Sequence, residues 1–135
     1  MFDNPYCGAA ILGPSLYSPP CGWDECPDYI CLATAYWNYA QCCAHWNNQA
    51  CAAYQLLLSD YGTKCTNAAL QVTDCMAATN NNGPYCRQNY KDKCATAKAE
   101  FDAAALTLAI DYANNISVCG WVYMQQLLAC HPILC

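Results

Sequence analysis

The sequence predicts an all-α protein: a compact, disulfide-rich bundle of four or five helices with an extended, proline-rich N-terminal arm. Three observations carry this expectation. Fourteen of the 135 residues are cysteine, an even number. Apolar residues recur at helical spacing through long stretches without proline. Five of the seven prolines are gathered before residue 28.

The arm is residues 1–27, with Pro5, Pro14, Pro19, Pro20 and Pro27 and the glycines Gly8, Gly13 and Gly22. Proline removes a backbone donor and blocks a helix, so this stretch reads as extended chain anchored through Cys7, Cys21 and Cys26. The helical domain is residues 28–135. A first helix starts after Pro27, with Asp28 in its first turn, and reaches about Trp46. Asn47-Asn48 is a candidate break, the alternative being a helix that continues through a second segment over 49–59. Asp60-Tyr61-Gly62 reads as a turn, and Thr63 as the cap of a helix over 64–78. Asn80-Asn81-Asn82-Gly83-Pro84 is the clearest interruption in the chain. A long helix follows over 85–113. Asn114-Asn115 is expected to end it, and Ser117 to cap a last helix that stops before Pro132.

The long helix carries an apolar stripe, Tyr90, Cys94, Ala97, Phe101, Ala104, Leu108 and Tyr112, at steps of three and four. That period places the stripe against the core.

All fourteen cysteines are disulfide candidates: Cys7, Cys21, Cys26, Cys31, Cys42, Cys43, Cys51, Cys65, Cys75, Cys86, Cys94, Cys119, Cys130 and Cys135. Cys65 and Cys75 can share one helix face, as can Cys86 and Cys94. An antiparallel fold at the asparagine-rich turn would pair Cys75 with Cys86 and Cys65 with Cys94. The spacings 31–42 and 119–130 are both eleven, near three helical turns, and read as two staples along each helix. Such cysteine density belongs to an oxidising compartment, so the expected location is secreted and extracellular. The opening residues lack the basic region and apolar run of a secretory leader. Cys-x-x-Cys pairs are absent, and neither a metal nor a cofactor is expected.

Ten acidic and five basic residues leave a net charge of −5. Arg87, Lys91, Lys93 and Lys98 cluster, but Asp92, Glu100 and Asp102 lie among or beside them. Phosphate binding needs a concentrated positive surface, so nucleic acid is not an expected partner. No apolar run is long enough to span a membrane.

From Tyr29 to Ser59 there is no Asp, Glu, Lys or Arg. Thr34, Asn38, Gln41, His45 and Asn48 form a neutral polar stripe at helical steps. Leu32, Tyr36, Tyr39, Cys43 and Trp46 occupy the other side. A neutral polar face fits three places: a core where amides satisfy one another, a surface that faces solvent weakly, or an interface with another molecule. Amides cross an interface without the desolvation cost of charges. Eleven tyrosines and four tryptophans favour contact surfaces.

Catalytic patterns are weak. Cys42-Cys43-Ala44-His45 resembles in part the helix of secreted phospholipases A2, where two residues separate the cysteine pair from His-Asp. Here one residue intervenes and Trp46 stands in the aspartate's place, so the family's roles do not carry over. Ser15, Ser18, Ser59 and Ser117 lack a nucleophile-elbow setting. His45, His131 and Asp24-Glu25 do not form a ligand pattern. Asn115-Ile116-Ser117 matches the N-glycosylation acceptor, expected between two helices.

The function expected is therefore non-enzymatic: a secreted structural protein that self-associates into a durable extracellular assembly or fibre. Two alternatives share the scaffold. One is a monomeric carrier of a lipid or other apolar small molecule, a role loosely similar to that of insect odorant-binding proteins, whose close cysteine pair is missing here. The other is a protease-resistant toxin or signalling ligand.

Overall fold

A computed structural model of the chain describes residues 3–9 and 21–135. Residues 1, 2 and 10–20 of the expected arm, with Pro14, Ser15, Ser18, Pro19 and Pro20, lie outside the described residues. Two helices dominate, α1 (Tyr29–Ala78) and α2 (Gly83–Ala129). Two short strands, β1 (Glu25–Cys26) and β2 (Ile133–Leu134), pair antiparallel, Glu25 opposite Leu134 and Cys26 opposite Ile133.

Two helices thus replace the four or five expected, because three anticipated breaks do not form. At Asn47 the helix continues and the side chain is buried. Its amide donates to the Ala9 carbonyl at 3.3 Å, and its carbonyl oxygen accepts from the Tyr112 hydroxyl. With both ends satisfied by tertiary partners, the amide does not compete for its own backbone. At 60–62, Asp60 pairs with Lys64 one turn on, at 2.9 Å, and Tyr61 packs its ring on Phe101 at 5.7 Å. Those contacts hold Gly62 inside the helix. At 114–115, Ile116 and Cys119 join the core on the next turn. Asparagine costs a helix only a few tenths of a kcal/mol, less than the roughly 1.5–3 kcal/mol from burying an aliphatic side chain. The glycosylation acceptor Asn115 therefore lies in a helix, half-buried, and not in a loop. Ser117 is also inside α2 and caps nothing.

The Asn80–Pro84 interruption is a formed turn. Asn80 and Asn81 take φ of 54° and 65°. Asparagine tolerates this left-handed region better than most residues. The Asn81 amide donates to the Met76 carbonyl at 2.8 Å, a Schellman-type closure of α1. Asn82 then caps α2, its side-chain oxygen accepting from the Tyr85 amide at 3.2 Å. Pro84 sits in the first turn of α2, where its missing donor costs nothing.

The chain divides into two compact units. In the turn unit, Cys51–Ala109, the helices run antiparallel and Cys75–Cys86 bridges them with Cα atoms 5.7 Å apart. Ala68, Cys86, Ala97 and Phe101 are buried there, and Tyr54 lies edge-on to Phe101 at 5.6 Å. The terminal unit combines Pro5–Ala50 with Ile110–Cys135. Its core is Leu32, Ala35, Tyr39 and Cys43 from α1 against Cys119, Tyr123, Leu127 and Cys130. Cys31–Cys130 and Cys42–Cys119 cross-link it, so the two eleven-residue spacings mate with each other. Cys26–Cys135 ties the strand pair. Cys7 and Cys51 are also disulfide-bonded.

Candidate interaction surface

Core-facing positions of α1 in the terminal unit follow the helical period: Leu32, Ala35, Tyr39, Cys43, Ala50. The positions between them must face outward. Thr34, Asn38, Gln41, His45 and Asn48 are all exposed. The neutral stripe is therefore surface, not core. Thr34 Oγ1 donates to the Ile30 carbonyl at 2.8 Å, back along its own helix. The Asn38 amide donates to Gln126 Oε1 at 3.4 Å, and the His45 ring lies 4.8 Å from that of Trp46.

Large apolar groups stand among these amides. Trp37 is 63% exposed, and Ile30 is exposed too. Trp37 lies about 40° around the helix from Gln41, on the same outward side. α2 supplies a second outward row, Val118, Trp121, Gln125 and Leu128, at steps of three, four and three. Trp121 is 65% exposed. These α2 residues escaped the sequence reading. Their signal was present: no Asp, Glu, Lys or Arg occurs from Tyr112 to Cys135.

Charge divides between the units. The terminal unit holds Asp24, Glu25, Asp28 and Asp111 and no lysine or arginine, so all five basic side chains belong to the turn unit. There they are largely spoken for. Lys64 bridges Asp60 and Glu100, at 2.9 and 2.6 Å, which pushes its ammonium well above the usual lysine range. Lys98 pairs with Asp102 at 3.0 Å, and Lys93 donates to Gln71.

Beneath the surface, the terminal unit is rich in tyrosine. Tyr39 and Tyr123 meet edge-to-face at 4.8 Å, and Tyr6 meets Tyr112 at 4.9 Å. Burial, and then a hydrogen bond to Cys43, push Tyr39 up to about 12. Burial likewise raises Tyr112 and Tyr123. Nothing here activates a nucleophile; the effect keeps these phenols neutral.

Grooves open to solvent occur in each unit among the described residues. One, about 400 Å³, lies in the turn unit between Lys64, Asn67, Gln71, Asp92, Lys93 and Glu100. Another, about 310 Å³, lies in the terminal unit between Cys31, Thr34, Ala35, Asn38 and Gln126. The first has a charged rim, whereas the second is lined mostly by apolar surface, with Ala35, Ala129 and Cys130 beside its few polar groups. His45 and His131 are exposed, and no group of three potential metal ligands occurs among the described residues. The Glu25 carboxylate accepts from the Gly22 amide at 3.1 Å, and the Asp24 carbonyl accepts from the Cys135 amide at 3.0 Å. This acidic pair belongs to a local turn and the strand pairing.

No protein-family model matches the chain, and no curated protein or solved structure matches it either.

Proposed function

We propose that the chain is a secreted, non-enzymatic structural protein that self-associates into a durable extracellular assembly. The observation that carries this reading is the outward side of each helical segment of the terminal unit. Exposed Trp37 and Trp121 sit there on helical segments without a charged residue from Tyr29 to Ala50 and from Tyr112 to Ala129. A dispersed monomer ordinarily covers such helices with lysine and glutamate. Tryptophan surrounded by amides instead gives an interface large apolar area with cheaply desolvated partners. The partner is a second copy of the chain, because the same neutral surface on both sides carries no charge repulsion into the contact.

Durability comes from the cross-links. Each disulfide contributes roughly 2–4 kcal/mol by restricting the unfolded chain, and the terminal unit has three between its own residues.

Placing a charge on each of these outward sides tests the reading. The double variant Trp37→Glu, Trp121→Glu should weaken association at least tenfold in sedimentation velocity. A wild-type chain that stays monomeric at every concentration would overturn it. An apolar ligand carried by that monomer in native mass spectrometry would favour the carrier reading.

A further inference from the structure

Ten cysteines lie in disulfides, whereas Cys43, Cys65 and Cys94 do not. Cys43 is buried in the terminal core beside Tyr39. Cys65 and Cys94 differ from it in two respects. Both are half-buried, and the cross-hairpin contacts of Lys64 with Glu100 and of Lys93 with Gln71 bracket them on facing stretches of the antiparallel turn unit. Each also has a tyrosine one helical turn before it. The neighbouring sulfurs raise Tyr61 and Tyr90 above the ordinary phenol range. The same Tyr-x-x-x-Cys spacing on two antiparallel helices thus makes a cluster of two thiols flanked by two phenols.

We propose that Cys65 and Cys94 are a thiol–disulfide site that a low-molecular-weight disulfide converts into a further bridge of the hairpin. The site is independent of the surface assigned to self-association. One thiolate attacks a sulfur of oxidised glutathione, forming a mixed disulfide and releasing one glutathione thiolate. The second cysteine thiolate then attacks the protein sulfur of that mixed disulfide. The Cys65–Cys94 bond forms and a second glutathione leaves. The two cysteines lose two electrons to the oxidant, and their two protons end on the two glutathione thiols. Thiols held on facing helix turns meet this second step at high effective concentration. The neighbouring Cys94, and then burial, raise the Cys65 thiol above its ordinary range, so the attack quickens as pH rises. The new bridge would lie about 12–15 Å along the helices from Cys75–Cys86, at 1.5 Å per residue.

The test is a peptide map of the whole chain, equilibrated in glutathione buffer, alkylated, and digested with trypsin without reduction. Cleavage after Lys64, Arg87, Lys93 and Lys98 puts Cys65 on peptide 65–87 and Cys94 on peptide 94–98. The expected result is peptide 94–98 joined to peptide 65–87, with an intact mass lower by two hydrogens than that of the dithiol. The variant Cys65→Ser should stop at the first step, with glutathione attached to Cys94. Recovery of peptide 94–98 alkylated from a chain whose Cys75–Cys86 bond is intact would overturn the proposal. So would its attachment to a peptide carrying Cys21 or Cys43.

Discussion

Tyr123 is among the most deeply buried side chains, yet its hydroxyl has no hydrogen-bond partner among the described residues. A buried, unsatisfied hydroxyl costs about 1–3 kcal/mol. Tyr123→Phe keeps the ring that packs on Tyr36 and Tyr39 and removes only that cost. Its expected effect is a gain of about 1 kcal/mol in urea unfolding of the oxidised protein. Tyr39 makes a prediction of opposite character. Its folded pKa of about 12 lies above the ordinary 10.0, so the folded state holds its proton longer than the unfolded state does. The resulting stability is complete below pH 10 and declines as pH rises from 10 toward 12. Alkaline unfolding, followed by tyrosinate absorbance, should show that decline, and Tyr39→Phe should reduce it. A stability independent of pH over this range would contradict the assignment. Neither effect was legible in the sequence, because one tyrosine among eleven looks like any other until its burial is known.

At the scale of the element, helix endings were harder to read than helix faces. The stripe from Tyr90 to Tyr112 is buried or half-buried throughout, as its period requires. The asparagine-rich turn was equally legible, since five consecutive turn-forming residues leave the backbone little choice. The other expected breaks rested on two or three polar or small residues each. Asn47 and Asp60 found partners outside the local backbone, and α1 runs through both. Gly62 is the residue that local propensity most disfavours there. Its exposed position leaves open space for a Cβ. Gly62→Ala should therefore raise stability by roughly 0.5–1 kcal/mol. A loss would show that the backbone at 62 is not helical. Asn115 illustrates the same lesson for a motif: the acceptor triplet was read as a loop, and core packing of Ile116 placed it in a helix.

For the whole molecule, composition said more about surface than about chemistry. The low charge was visible from the start, but its division between two units was not, because each unit combines distant stretches of chain. Only the fold gathers residues 29–50 with 112–129 into the unit without basic side chains. The exposed tryptophans on those helices are the basis of the proposed self-association. Contact through neutral groups has a distinctive dependence on salt. Charge-mediated association weakens as salt screens it, whereas apolar burial holds, and strengthens in sulfate. The most direct test is sedimentation velocity of the oxidised protein over a wide concentration range, in low salt, in high sodium chloride and in sulfate. The account predicts reversible association that survives sodium chloride, tightens in sulfate, and is lost in Trp37→Glu, Trp121→Glu. A single monomeric species under all three conditions would contradict it.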